Sequence, residues 1–181
     1  ANKLSEVYKI EVTSIVKTGI LQEELQNTID ETKTDIVVMG MVKGSMEQDL
    51  LGNTTTAALQ SLKFPLLAVP LHAKYKGLKT ILFACDITRG VHKTVLEKVK
   101  DIAIRLGAAI EIFHVSKKVF ELENKENKMH PTAPFADGLH GTNYYYKNVA
   151  SNAIIEAIQE EIAEINADLL IMVPYKYGFW D

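Results

Sequence analysis

Short apolar runs alternate along this chain with segments whose apolar residues recur every three or four positions, and this alternation constrains the fold most strongly. The first pattern is typical of buried strands and the second of amphipathic helices. Alternating strands and helices build a parallel sheet covered by helices, so the sequence predicts the α/β class. Strands are predicted at 8–16, 36–39, 66–69, 79–85, 109–115, 144–150 and 169–173, and helices at 20–33, 54–63, 92–106 and 153–165.

Composition and charge exclude several classes of protein. The 181 residues are 47% hydrophobic and 24% charged, which is typical of a folded globular chain rather than a disordered one. A formal net charge of -3 gives no general attraction to nucleic acid or to an anionic membrane. The apolar runs 66–71 and 169–174 are far shorter than the roughly 20 residues of a membrane-spanning helix. Neither nucleic acid nor a membrane is therefore predicted as a partner.

The cysteine content bears on the cellular compartment. Cys85 is the one cysteine of the sequence, so it has no partner for an internal disulfide. It lies in the apolar run ILFAC, where a buried reduced thiol is expected. We therefore predict a cytoplasmic location.

The segment 117–143 interrupts the alternation of strands and helices. It is polar and contains two prolines and two glycines, and only 117–124 has the pattern of a helix. A segment of this kind buries little apolar surface to offset its chain entropy. We predict that 117–143 is a mobile loop that is poorly ordered or binds a partner.

An internal repeat organises the remaining sequence. A shift of 133 positions aligns the apolar helix and strand positions of residues 1–48 with those of 134–181. We infer a duplication in which residues 49–133 occur once, so that the first copy lacks its beginning and the second stops early. The aligned pairs are Val16 with Val149, Leu21 with Ile154, Leu25 with Ile158, Ile29 with Ile162, Asp35 with Asp168, Met39 with Met172 and Lys43 with Lys176.

Three glycines follow the strand at 36–39, in a segment that leads into a predicted helix. Glycines and free amides at a helix N-terminus can cradle an anion such as phosphate. The spacing fits neither GxGxxG nor GxxxxGK[ST]. An ordinary strand-to-helix connection capped by Asn53 or Thr54 is the alternative.

Two stretches together resemble the universal stress protein family. The strand, MG, glycine loop, LLGN, short helix and FPLLAVP resemble the C-terminal half of such a domain, and LKTILFACDIT, a helix and IEIFHV resemble its N-terminal half. The resemblance implies a doubly wound parallel sheet of five strands per domain, dimeric pairing and, in some members, ATP binding. The expected organisation is a half domain at 1–70, a linker at 71–77 and, at 78–181, a second domain lacking its last helix and strand.

The resemblance also implies a phosphate-binding loop in the first copy. Nucleotide-binding members carry three spaced glycines and a small polar residue. Gly40 and Gly52 match the outer glycines and Asn53 the polar residue, whereas Gly44 stands one position late and the loop is one residue short. These four residues are the candidate phosphate contacts.

In the second copy the resemblance implies nucleoside contacts. Asp86 matches the acidic residue near the nucleoside, and Val115 matches the position whose main chain meets adenine. The alternatives are a turn cap for Asp86 and plain core packing for Val115. Val173 and Pro174 occupy the region of the first glycine of this copy's loop, and proline has no amide to donate. Each copy thus retains only part of a nucleotide site.

The sequence predicts a universal stress protein that regulates or senses a ligand and is not an enzyme. ATP is the implied cofactor, bound weakly or not at all because the loops are degraded, and no catalytic or metal-ligating residue is predicted. One alternative is a structural protein-interaction module without a ligand, and another is a nucleotide-hydrolysing enzyme of the same fold. The resemblance also implies a homo-oligomer that pairs through strand 66–69.

Overall fold

The computed structural model describes residues 2–41, 64–126 and 133–173 of the chain. Contacts divide the chain into two compact units, Ala1–Lys74 and Tyr75–Asp181. The helix predicted at 54–63 lies outside the described residues, and so do three of the site candidates: Gly44, Gly52 and Asn53.

The first unit contains two helices and a pair of parallel strands. Helices α1 (Asn2–Tyr8) and α2 (Leu21–Thr32) precede strands β1 (Val37–Gly40) and β2 (Leu66–Val69). Strands β1 and β2 pair in parallel from Val37 beside Leu66 to Gly40 beside Val69. The apolar face of α2 covers this pair and forms a small core, whose members are Leu25, Ile29, Val37, Met39, Phe64 and Leu66.

The strand predicted at 8–16 is wrong. Helix α1 extends to Tyr8, and the following residues to Thr18 have no regular structure. A strand needs a neighbour to accept its backbone hydrogen bonds, and no described strand pairs with this segment. Lys9 breaks the extended path with a φ of 54°, and Val16 is 93% exposed. The described part of the first unit therefore has two strands where three were expected.

The second unit is a four-stranded parallel sheet covered by helices. Its elements are β3 (Thr80–Ala84), α3 (Lys93–Leu106), β4 (Ala109–Val115), α4 (Lys117–Glu126), α5 (Ala133–Ala136), β5 (Tyr144–Val149), α6 (Ile154–Glu164) and β6 (Leu169–Met172). The strand order is β5-β4-β3-β6, and all pairs are parallel. The chain moves outward from β3 to β5 and returns to the other side of β3 with β6. This reversal is the doubly wound arrangement that the sequence predicted.

The two faces of this sheet carry separate cores. Helix α3 packs on one face through Leu96, Val99 and Ala103, which contact the alternate strand residues Ile81, Phe83, Ile110 and Ile112. Helix α6 packs on the other face through Ala157 and Ile158, against Leu82, Ala84 and Phe113. Ile154, which the periodicity placed on the apolar face of α6, is 55% exposed.

The prediction of a poorly ordered loop is wrong for 133–143. Phe135 is 1% exposed and Leu139 is fully buried, and both belong to the core under α3. Gly138 lies against α3 so closely that an added Cβ would stand 2.7 Å from Leu96 Cδ1. Two large apolar side chains four residues apart thus anchor a segment whose composition is mostly polar. The helical start predicted at 117–124 is α4.

Candidate functional site

The carboxyl ends of the four strands of the second unit form the candidate site, which we call the carboxyl edge: residues 84–86, 114–116, 148–150 and 172–173. In doubly wound folds, ligands bind outside the carboxyl ends of the strands, at the point where the strand order reverses. Here the order reverses between β3 and β6. The carboxyl edge contains two of the predicted site residues, Asp86 and Val115.

The Asp86 carboxylate makes its contacts within its own turn. Its Oδ1 accepts hydrogen bonds from the Thr88 backbone N–H at 3.0 Å and from the Thr88 hydroxyl at 2.6 Å. Its Oδ2 lies 3.3 Å from Arg89 Nε in an ion pair. The carboxylate therefore caps the 3-10 turn Ile87–Arg89, as the turn-cap alternative expected.

Val115 ends β4 and is half buried. Its side chain packs against the core under α6, which includes Leu82 and Phe113. The structure thus places Asp86 and Val115 at the carboxyl ends of neighbouring strands, with the Cys85 N–H bonded to the Phe113 carbonyl at 3.1 Å between those strands. The side chain of Val115 has the core role that the sequence analysis gave as its alternative.

Gly40, the described member of the glycine loop, is the last residue of β1 in the first unit. It is exposed, and an added Cβ would meet no heavy atom within 4 Å among the described residues. Among those described residues, no close contact requires glycine at this position. The other three loop candidates, Gly44, Gly52 and Asn53, lie outside the described residues.

Two polar residues at the carboxyl edge were missed by the sequence analysis as a pair: His114 and Asn148. They are register partners on β4 and β5, so their side chains lie side by side. The His114 Nδ1 is 3.1 Å from the Cys85 carbonyl, which only accepts, so Nδ1 donates this hydrogen bond. The His114 Nε2 and the Asn148 Oδ1 are buried and have no hydrogen-bond partner among the described residues. No sequence motif signals them as a pair.

Two side-chain hydrogen bonds connect helix α4 to the sheet beside His114 and Asn148. The Tyr146 hydroxyl donates to Glu123 Oε1 at 3.1 Å, and the Asn148 amide donates to Glu123 Oε2 at 3.0 Å. Burial, followed by the charge of Glu123, raises the pKa of Tyr146 well above its ordinary value. The phenol therefore stays protonated and acts as a donor.

The Cys85 thiol is not activated as a nucleophile. Burial raises its pKa to about 12, and the Asp86 carboxylate beside it adds to the rise. The thiolate is the nucleophilic form, so this cysteine is not activated. Among the described residues, no group of three or more His, Cys, Asp or Glu side chains is arranged to hold a metal ion. A search of the described helices finds none that is long and apolar enough to cross a membrane.

Two solved structures are similar to this chain, and the first shares its architecture. A universal stress protein from Archaeoglobus fulgidus DSM 4304 superposes with a TM-score of 0.61 at 20% sequence identity, over 94% of this chain and 64% of its own. A protein from Mycobacterium tuberculosis H37Rv aligns with a TM-score of 0.42 at 14% identity, over 59% of this chain and 79% of its own. No curated protein sequence matches the chain.

The chain spans 64% of the length of the archaeal structure, whose likeness shows the fold. The family evidence comes from the first unit, where residues 1–70 match the model of the universal stress protein family. The chain therefore has the fold of a universal stress protein, and its residues 1–70 match the model of that family.

Proposed function

We propose that this chain is a regulatory or ligand-sensing module of the universal stress protein type, that it is not an enzyme, and that it binds adenine nucleotide weakly or not at all. The observation that carries the proposal is the Asp86 carboxylate, whose two oxygens are taken by Thr88 and Arg89. A nucleoside hydroxyl that approached this carboxylate would have to share it with these donors.

The distribution of the remaining candidates supports the same proposal. Gly40, Gly44, Gly52 and Asn53 belong to the first unit, whereas Asp86 and Val115 belong to the second. The region of the second copy that corresponds to the first glycine holds Val173 and Pro174, and proline offers no amide to a phosphate. Neither unit contains all of the residues that match the nucleotide-binding positions of the family.

Thermal unfolding with and without magnesium ATP tests this proposal on the wild-type chain and on Asp86→Ala. We expect no nucleotide-dependent rise in Tm for either protein, because a ligand stabilises only the state that binds it. We also expect Asp86→Ala to melt lower than Asp101→Ala, a control that removes an exposed acid from α3. A rise in Tm with ATP that Asp86→Ala abolishes would assign the carboxylate to the nucleotide and overturn the proposal.

Self-association through β2 is the second part of the proposal. Among the strands that the structure describes, β2 pairs only with β1. Leu66 packs into the core of the first unit, and Leu67 points to the opposite face because strand side chains alternate. An edge strand of this kind can pair with its equivalent in another chain. A structural interaction module without a ligand is the alternative that this edge favours.

The tandem origin of the chain is likewise proposed. Helix α2 begins at Leu21 and helix α6 at Ile154, a separation equal to the shift of the sequence repeat. Strands β1 and β6 follow these helices in the same order, which supports a duplication. We also propose a cytoplasmic location, which rests on the apolar, protonated state of Cys85.

A further inference from the structure

A cluster of ionisable residues lies on the α6 face of the sheet, away from the carboxyl edge. Its centre is Glu111, in the middle of β4, with 1% of its surface exposed. Its register neighbours are Leu82 on β3, which is apolar, and Tyr145 on β5. Phe113, two residues on, shares the face of Glu111 and packs in the core under α6.

The charged side chains that face Glu111 do not neutralise the charge that its carboxylate would carry. From α6 comes Glu161, which is 2% exposed. From β5 comes Lys147, whose Nζ lies 2.6 Å from Glu161 Oε2 and 3.1 Å from Glu164 Oε2. The Lys147 ammonium is therefore already paired with two carboxylates of α6. An ionised Glu111 would add a third negative charge around a single cation.

Glu111 also lacks the hydrogen bonds that would stabilise a buried carboxylate. In the part of the chain that the structure describes, neither of its oxygens has a partner of good hydrogen-bond geometry, and an unpaired buried charge is costly. Burial raises the pKa of Glu111 to about 7; the nearby Tyr145 hydroxyl lowers it, the Glu161 carboxylate raises it, and Lys147 lowers it. Burial and the same carboxylates raise the pKa of Tyr145 to about 12, so this phenol does not compete for the titration.

We propose that Glu111 is a buried proton-binding site through which ambient pH sets how firmly α6 packs on β4 and β5. When Glu111 is protonated, the cluster holds Lys147 with Glu161 and Glu164 and no uncompensated buried charge. When Glu111 loses its proton, its carboxylate faces Glu161 across the strand–helix interface and repels it. The element that responds is α6, because Glu161 and the apolar residues Ala157 and Ile158 lie on its buried face.

The direction of the pH effect follows from the raised pKa. The stabilising contribution of Glu111 is fully present below the ordinary glutamate pKa of 4.5 and is lost as pH rises to about 7. Across that interval the unfolded chain releases the proton and the folded chain keeps it. Each pH unit therefore favours unfolding by about tenfold through this residue.

Denaturant unfolding of wild type and Glu111→Gln at several values between about pH 5 and pH 8 tests the proposal. The variant keeps the shape of the neutral acid and cannot ionise. We expect the ratio of the wild-type to the variant unfolding constant to rise roughly tenfold per pH unit below about pH 7 and to level off above it. Glu160→Gln, an exposed acid on α6, is the matched control and should give a ratio that does not change with pH. A constant ratio for Glu111→Gln would overturn the proposal.

A second measurement keeps the test decisive if Glu111→Gln fails to fold. Infrared spectra of the wild-type protein should show a protonated carboxyl band that disappears with a midpoint near pH 7. Amide hydrogen exchange of α6, corrected for the intrinsic pH dependence, should accelerate over the same interval while α3 remains protected. No carboxyl band above about pH 6, or equal changes in α3 and α6, would contradict a local proton switch.

Discussion

At the residue scale, Asp86 shows what sequence reasoning can and cannot decide. The sequence placed it correctly at the end of a strand, because the apolar run of β3 stops there. It could not decide between a ligand contact and a turn cap, because an aspartate in this place can serve either role. The hydrogen bonds from Thr88 support the cap.

Removal of the Asp86 side chain is therefore expected to affect stability directly. Asp86→Ala should lower the free energy of unfolding by about 0.5–2 kcal/mol, the usual cost of losing a side-chain cap. Urea unfolding, with Asp101→Ala as the exposed control, measures this difference. Equal stability of the two variants would show that the Thr88 bonds contribute nothing to the fold.

Asp168 makes a different prediction at the same scale. Its Oδ2 accepts the backbone N–H groups of Lys79 and Thr80 at 2.8 and 3.1 Å, which ties the start of β6 to β3. These bonds lower the pKa of Asp168. Their stabilisation is present above the ordinary aspartate pKa and is lost as pH falls through the lowered value. Asp168→Asn should flatten the acid limb of the stability curve, whereas an unchanged limb would exclude this role.

Glu111 and Glu161 illustrate what the sequence could not reveal. A charged residue in the middle of an apolar strand or helix face is indistinguishable, by pattern alone, from one that points to solvent. Their burial depends on how β4, β5 and α6 meet, which is a tertiary property. The neighbouring Tyr145 is also part of this face, even though it remains 45% exposed.

At the element scale, the sequence predicted best those elements whose apolar residues pack on the sheet. The bounds of β2 and β4 agree with the predicted segments 66–69 and 109–115. The prediction of a strand at 8–16 was wrong because an apolar pattern does not form a strand without a neighbouring strand to pair with its backbone. The prediction for residues 133–143 was wrong for a different reason. It rested on their mostly polar composition, whereas a few large apolar side chains of the segment are buried in the core.

The anchoring of 133–143 gives a testable consequence. Leu139→Ala should reduce the free energy of unfolding of the second unit by about 2–5 kcal/mol, since it opens a cavity in a fully buried position. Leu122→Ala on α4, where the side chain is 39% exposed, is the control and should cost less. Similar losses for both variants, measured by urea unfolding, would show that Leu139 is not a core anchor.

Gly138 tests the same anchor by overpacking. A methyl group there would stand 2.7 and 2.9 Å from Leu96 Cδ1 and Cβ, so Gly138→Ala should cost about 1–3 kcal/mol. Asp137→Ala, an exposed neighbour, should change stability by less than about 0.5 kcal/mol. If Gly138→Ala were as stable as wild type, the segment would not lie tightly against α3.

At the scale of the whole molecule, the chain has two compact units with separate cores, and we propose that chains associate with one another. Leu67→Glu places a charge on the outward face of β2 and leaves the core residue Leu66 intact. Sedimentation equilibrium should show a concentration-dependent dimer for wild type and a shift toward monomer for this variant. Lys74→Glu, an exposed change beyond the strand, should leave the equilibrium unchanged. A single species of 20.2 kDa across micromolar concentrations would contradict the proposed association.

The proposed function as a whole depends on the claim that this universal stress protein fold has lost effective nucleotide binding. Isothermal titration of the full chain with ATP and magnesium measures this most directly. We expect no saturable heat, or an affinity far weaker than micromolar, because Asp86 caps its own turn and the glycine candidates belong to the other unit. A submicromolar dissociation constant for the isolated monomer would contradict it.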